Sequence, residues 1–224
     1  MFWGTIINAL AIALGSVIGM VLHLREATQR TIMHGLGLVV MIIGIKMGLD
    51  HDNILIPLAS IVAGGFIGEI LKIEARLEKI GDRLGKGKSV GEASRITQGF
   101  VTASLVYCVG AMAVIGALES GLHKTHETLL AKAMLDGVSA VFFASSFGIG
   151  VLFSAVPVFI YQSLITVFAG LLEPLFHAAA LQAMGATGGL LIVGIGLNIL
   201  GVSRIAVGNL LPSLAVAVIL SIFF

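Results

Sequence analysis

The chain has 224 residues, of which 58% are hydrophobic and only 11% are charged, and its formal net charge at pH 7 is +1. A soluble globular domain carries about 25% charged residues, so this chain has too few polar residues to cover a soluble surface. Runs of about 20 apolar residues are typical of a polytopic helical membrane protein. The single cysteine, Cys108, excludes an internal disulfide and a CxxC metal or redox site.

Eight apolar spans follow one another along the chain. The first is expected to be retained, because the N-terminus lacks the basic region and cleavage site of a signal peptide. The two-residue alternation of barrel strands is absent, so the spans are predicted to be helices. The sequence therefore predicts an all-α polytopic membrane protein with about eight transmembrane helices, at 2–22, 31–49, 54–71, 99–118, 137–156, 157–176, 184–202 and 205–224.

The distribution of Lys and Arg predicts the orientation of these spans. The first, third and seventh connections carry Arg25, Arg30, the seven basic residues of segment 72–95, and Arg204. The remaining basic residues fall at or beyond the other face: Lys46, Lys124 and Lys132. We therefore expect the segment 72–98 to be cytoplasmic and both termini to be periplasmic or extracellular.

The segment 72–98 is the one long polar passage of the chain. Its apolar residues Ile73, Leu77, Ile80 and Leu84 recur at helical spacing. This pattern predicts an amphipathic helix on the membrane surface with its lysines toward anionic lipid, and a docking site for another protein is the alternative. The GKGKS run in this segment follows a predicted helix rather than a strand, so a phosphate-binding loop is excluded.

A weak internal repeat relates the first three spans to the next three. In order, the matches pair Gly4 with Gly99, Gly35 with Gly137, and Pro57 with Pro157. Three spans repeated once must be inserted in opposite senses, which is the inverted-repeat organisation of many secondary transporters. The predicted parts are a first repeat at 1–71, the amphipathic segment at 72–98, a second repeat at 99–176 and a terminal hairpin at 184–224; chance spacing of glycines is the alternative.

Pairs of glycines four residues apart recur in the predicted spans. Such pairs allow helix backbones to approach closely. They predict tight packing within the chain and leave self-association through the same helix faces open. The pairs are Gly15/Gly19, Gly44/Gly48, Gly64/Gly68 and Gly185/Gly189.

No charged residue lies at the middle of a predicted span, and Glu69 and Asp136 near span ends are the best charged candidates for function. The spans do contain neutral polar residues that could converge on a small solute. The candidates are Asn8, Thr102, Ser104, Ser145, Ser146, Gln162, Asn198 and Asn209. Ordinary interhelical hydrogen bonding is the alternative, at about 0.6 kcal/mol per bond.

Catalytic and metal-binding patterns are not found in the sequence. HExxH and GxSxG arrangements are absent. His123 and His126 near Glu127 are expected to be solvated loop residues, with a metal site as the weaker alternative. We expect no enzyme activity, no metal and no cofactor.

Several long stretches together resemble a known family. They lie at 64–71 (GGFIGEIL), 100–122, 129–137, 143–162, 188–200 and 207–217. The chain is similar over nearly its whole length to domain-of-unknown-function family 554, whose members are prokaryotic integral membrane proteins and are sometimes labelled as transporters. The resemblance implies a bacterial inner-membrane (plasma-membrane) protein and brings no binding or catalytic residues with it.

The sequence thus favours a transporter or channel for a small solute or ion, with the lipid bilayer as its surroundings and no nucleic-acid partner. The alternative is a membrane scaffold or accessory subunit that uses the amphipathic segment 72–98 as its contact surface. Architecture alone does not establish function.

Overall fold

The structure is a computed structural model and describes residues 1–22, 26–50 and 53–223. Within these ranges the chain forms helices and turns but no strand, which confirms the all-α prediction. His23, Arg25 and His51 lie outside the described residues. The helices are α1 (Trp3–Val21), α2 (Glu26–Gly48), α3 (Leu55–Leu71), α4 (Ile73–Leu84), α5 (Val90–Cys108), α6 (Ala111–Leu122), α7 (Glu127–Phe147), α8 (Ile149–Phe153), α9 (Ala155–Val167), α10 (Ala169–Leu172), α11 (Ala178–Ile199), α12 (Val207–Leu210) and α13 (Pro212–Leu220), with a short 3₁₀ turn at Glu173–Leu175.

In the described part of the chain, five segments are long and apolar enough to cross a membrane: α1, α2, α7, α8 with α9, and α11. The count rises to seven if α3 with α4 and α5 with α6, each pair bent at a short break, are single spans. The segment Val207–Leu220 is apolar but shorter. A polytopic helical membrane protein is confirmed, whereas eight spans and the inverted repeat are not.

The boundary between the fifth and sixth spans differs from the prediction. Helix α7 begins at Glu127, ten residues before the predicted 137, and ends at Phe147. The break falls at Gly148, whose φ of +71° favours glycine. Pro157 lies instead in the first turn of α9, where proline is tolerated because that N–H needs no helical partner. The predicted boundary at Pro157 is therefore wrong.

The chain divides into two compact units that are each built from several stretches of sequence. Unit 1 comprises Met1–Met33, Leu77–Cys108 and Met112–Leu171. In this unit α1 packs along α7 and also contacts α8 and α9, while α5 packs against α7, α8 and α9. Its large buried side chains include Ile12, Tyr107, Leu129 and Phe143.

Unit 2 comprises His34–Arg76, Val109–Ala111 and Leu172–Phe224. Helix α3 packs against α12 and α13, and α11 packs against α3 and α13. A small apolar cluster of Ile56, Ala183 and Ala217 lies among these helices, with Leu220 packed against it.

Glycines determine how closely the helices approach within each unit, as their spacing predicts. A Cβ on Gly15 or Gly19 of α1 would overlap the carbonyl oxygens of Gly137 and Val141 on α7. In unit 2, a Cβ on Gly189 of α11 would lie 2.6 Å from the Gly44 carbonyl oxygen of α2. These contacts confirm packing within the chain, and self-association stays a prediction.

The predicted amphipathic helix is α4, and the end of segment 72–98 already belongs to α5. Within unit 1, a Cβ on Gly81 would meet Thr97 and one on Gly85 would meet Ala93, so α4 lies close along the start of α5. The Thr97 hydroxyl also donates a hydrogen bond to Asp82 at 2.8 Å.

Candidate functional site

The most unusual feature of unit 1 is an ion pair inside α7, a helix that is long and apolar enough to cross a membrane. Lys132 and Asp136 lie one turn apart on α7, and each side chain is only 9% exposed. The Lys132 ammonium donates to both carboxylate oxygens of Asp136, at 2.9 and 2.7 Å. Charged groups are costly inside a bilayer and by default indicate a functional site when they occur there.

Polar groups of α1, α5 and α7 lie near the ion pair in unit 1. The Lys132 ammonium lies 5.9 Å from the centre of the Tyr107 ring, within range of a cation–π interaction. The Ser139 hydroxyl is 3.4 Å from the Tyr107 hydroxyl. Asn8 of α1 lies beside the Asp136 carboxylate.

Unit 1 contains two buried amides with few hydrogen-bonding partners. Asn8 on α1 and Gln162 on α9 are both fully buried. Neither amide makes a hydrogen bond of ordinary geometry, but Asn8 interacts with the Asp136 carboxylate, whereas Gln162 has no partner. The hydroxyl of Ser104 on α5 is also buried and unpartnered. We refer to Asn8, Ser104, Tyr107, Lys132, Asp136, Ser139 and Gln162 as the polar core of unit 1.

The buried amides are informative because a polar group without a hydrogen bond is unstable in a dry interior. Leaving a buried donor or acceptor unsatisfied costs about 1–3 kcal/mol. Helices α1, α5, α7 and α9, which carry the polar core, pack against one another in this unit. Within this unit, Asn8, Tyr107 and the ion pair bring hydrogen-bonding groups and both signs of charge close together.

Ser145 and Ser146 lie in the last turn of α7 rather than near the middle of a span. Their backbone carbonyls accept hydrogen bonds from Gln29 (2.9 Å) and from Arg95 (2.6 and 3.2 Å). A cation at a helix C-terminus is favourable, because the final carbonyls lack helical partners and carry partial negative charge. These contacts tie α7 to the starts of α2 and α5, just before the break at Gly148.

In unit 2, Asn209 joins the ends of α3, α4 and α12. Its amide nitrogen donates to the Glu69 carboxylate at 2.6 Å, and its oxygen accepts from the backbone N–H of Glu74 at 2.8 Å. The Glu74 carboxylate in turn accepts from the backbone N–H of Gly208 at 2.5 Å. Glu69 and Asn209 are therefore brought together by contacts that fasten helix ends.

Asn198 also contacts backbone. Its side chain both donates to and accepts from Ile205, at 2.7 and 2.8 Å, and thereby closes the connection between α11 and α12. The amide groups of Asn198 and Asn209 thus have partners in unit 2, in contrast to that of Gln162 in unit 1. Thr102 is half-buried on α5, within unit 1.

In the described ranges no cluster of three or more His, Cys, Asp or Glu residues could hold a metal ion. His126 instead pairs with the Ser120 hydroxyl at 2.7 Å.

A family model described as "Protein of unknown function (DUF554)" matches residues 3–222. The chain belongs to this family. The match confirms the resemblance seen in the motifs and covers both units.

Two DUF554 relatives are similar over nearly their whole length. The chain is 31% identical to "Uncharacterized membrane protein YdfK" of Bacillus subtilis (strain 168), over 96% of this chain and 93% of the relative. It is 30% identical to "Uncharacterized protein YqgA" of Escherichia coli (strain K12), over 97% of this chain and 95% of that relative. No solved structure matches the chain significantly.

The sequence candidates in this DUF554 chain do not include three residues of the polar core, Tyr107, Lys132 and Ser139. The sequence places Lys132 at or beyond the outer face and Asp136 near the start of the span 137–156, whereas both lie inside α7 in the structure. The signal that would have found the pair is their spacing: an ammonium and a carboxylate at i and i+4 lie on the same helix face and neutralise each other.

Proposed function

We propose that this protein moves a small polar solute across the bacterial plasma membrane, by a carrier or channel mechanism, and that the polar core of unit 1 is where the solute binds. The observation that supports this most directly is the buried ion pair with Asn8 beside it, and the buried, unpartnered amide of Gln162 on α9 adds to it. A chain that only needed to pack its helices would be more stable with apolar side chains in place of Asn8 and Gln162.

The break at Gly148 supports the same proposal. Transporter sites are commonly formed near interrupted helices, whose freed backbone groups and flexible joints border the site. Here Gln29 and Arg95 hold the end of α7 through Ser145 and Ser146. Movement of α8 and α9 about Gly148 would shift Gln162 relative to α7 without disturbing this anchored end.

We also propose that the anchored end of α7 lies on the cytoplasmic side. It is contacted by Arg95, which belongs to the strongly basic segment 72–95, and the positive-inside rule favours the cytoplasm for that segment. The test is a reporter enzyme that is active only in the periplasm, fused near residue 88. Activity of this fusion would contradict the orientation.

The experiment that tests the function begins with the full-length protein in detergent. A screen of ions and metabolites for thermal stabilisation identifies ligands, because a ligand that binds the native state raises its apparent stability. Each ligand is then tested for uptake into proteoliposomes that contain the wild type or the double variant Asn8→Leu/Gln162→Met.

We expect the double variant to lose uptake while its melting temperature stays equal or rises. The matched control is Ser16→Ala with Ser154→Ala, because these hydroxyls are equally buried on α1 and beside α9 but bond only to their own helix turns. Retained uptake in Asn8→Leu/Gln162→Met, or a loss in the control alone, would refute the assignment of the site.

A further inference from the structure

We propose that the polar core of unit 1 takes a zwitterion, a small solute that carries one ammonium and one carboxylate group as free amino acids do. On binding, Lys132 and Asp136 would give up their mutual ion pair and contact the opposite charges of the solute. This inference rests on the proposed function and names its substrate class.

Charge balance is the first argument. Lys132 and Asp136 are the only charged residues among the buried residues that the structure describes, so the core has no net charge. A solute with a net charge would add an uncompensated charge to a water-poor interior, which is strongly unfavourable. A zwitterion adds no net charge. Its carboxylate is a partner for Lys132 and its ammonium is a partner for Asp136.

The geometry of the ion pair is the second argument. Both oxygens of Asp136 accept from the same Lys132 ammonium, so opening the pair frees a complete carboxylate and a complete ammonium on one face of α7. Lysine has a long and flexible side chain, and the face of the Tyr107 ring lies 5.9 Å from the ammonium. The ammonium can therefore turn toward a new partner while it keeps a favourable cation–π contact.

The buried amides are the third argument. Gln162 presents donors and an acceptor with no protein partner, and the Asn8 amide lies beside the Asp136 carboxylate. A solute with an ammonium at one end and a carboxylate at the other supplies donors and acceptors to match both amides. An inorganic cation would use only the acceptors and leave Lys132 unpaired, and an anion would leave Asp136 unpaired. An uncharged sugar would satisfy the amides but gains nothing from the ion pair.

The test uses the full-length protein in detergent, and the probes are the twenty common amino acids, β-alanine and 4-aminobutyrate. For each amino acid that binds, two analogues are measured by calorimetry: its amide, which keeps only the positive charge, and its deaminated acid, which keeps only the negative charge. We expect at least one zwitterion to bind, and both analogues to bind about a hundredfold more weakly, as expected when one charged hydrogen-bonding partner is lost.

The variant Lys132→Met/Asp136→Asn removes both charges together and so avoids leaving one buried and unpaired. We expect it to fold and to lose binding of the zwitterion. The matched control is Lys88→Gln/Glu92→Gln, another i,i+4 pair, whose side chains are 52% and 51% exposed; it should bind as the wild type does.

Three results would overturn the inference. These are binding of a single-charge analogue as tight as that of its parent, unchanged affinity in Lys132→Met/Asp136→Asn, and uptake of another solute class with no amino acid bound. In the last case the proposed transport function stands and only the substrate class is wrong. If proteoliposomes take up no solute at all, the proposed function and this inference fail together.

Discussion

Removing one or both charges of the buried ion pair Lys132–Asp136 should reveal how strongly the stability of the fold depends on this pair. The variants are Lys132→Met, Asp136→Asn and the double variant, which together form a double-mutant cycle. The same cycle is measured at the exposed pair Lys88 and Glu92. The two pairs share the i,i+4 spacing and differ in burial, 9% against about 50% exposed.

The expected magnitudes follow from burial. Lys132→Met leaves the Asp136 carboxylate buried without its partner, which costs about 3–5 kcal/mol, whereas removing both charges is often close to neutral. The exposed pair should contribute only about 0.2–1 kcal/mol. For a chain of this size about 1 kcal/mol corresponds to roughly 2–4 °C in melting temperature, so Lys132→Met should lower it by roughly 6–20 °C.

The assay is thermal unfolding in detergent with a dye that becomes fluorescent on reaction with a thiol. The chain has one cysteine, Cys108 in α5, so the signal reports a single site. Equal melting temperatures for Lys132→Met and Lys88→Met would refute the reasoning, because the Asp136 carboxylate would then be solvated without its partner. A double variant as unstable as Lys132→Met would also refute it.

Three further predictions concern the packing and the helix ends. Gly189→Ala should lower the melting temperature, since overpacking costs about 1–3 kcal/mol, whereas Gly185→Ala, whose Cβ meets open space, should raise it slightly because alanine favours helix by about 1 kcal/mol. Arg95→Gln removes a charged donor, with a loss of about 1.5–3 kcal/mol, and should speed amide hydrogen exchange at the end of α7; unchanged exchange there would contradict the capping role. Asn198→Ala leaves the N–H and C=O of Ile205 unpaired and should accelerate proteolysis of the connection 200–206, with Asn198→Asp intermediate because it can still accept from the N–H. Equal rates of cleavage in the wild type, Asn198→Ala and Asn198→Asp would contradict the role of Asn198 in closing this connection.

The sequence was sufficient for the helical class and for most of the glycine contacts, because both depend on local spacing; Gly185, which faces open space, is the exception. Apolar runs of span length can satisfy their backbone hydrogen bonds in a bilayer only as helices, and Gly15 and Gly64 lie where their spacing predicts close packing. The same local reasoning failed at the fifth span. In the sequence, charges such as those of Lys132 and Asp136 are typical of a connection, whereas in the structure the two residues form an ion pair within α7.

The candidate site was predictable only in part, because an amide side chain looks the same in a sequence whether or not it has a partner. Asn198 and Asn8 were equally good candidates by residue type. Asn198 contacts the backbone of Ile205, seven residues away, whereas Asn8 lies among side chains of helices that are distant in sequence. Which amide remains available to a ligand is decided by tertiary packing.

Packing and polar recognition, which the sequence presented as alternatives, are combined on one face of α1. Gly4, Asn8, Gly15 and Gly19 are all buried on this helix at spacings of four or seven residues, so they form one stripe. The glycines let α1 approach α7 so closely that a Cβ on Gly15 would overlap its backbone, and this close approach places Asn8 beside Asp136. A site built in this way is held in position by rigid helix contacts on both sides of the polar group, which is the arrangement that favours precise binding. Small residues on α1 therefore do more than pack: they fix the distance at which an otherwise unpartnered amide faces a buried carboxylate.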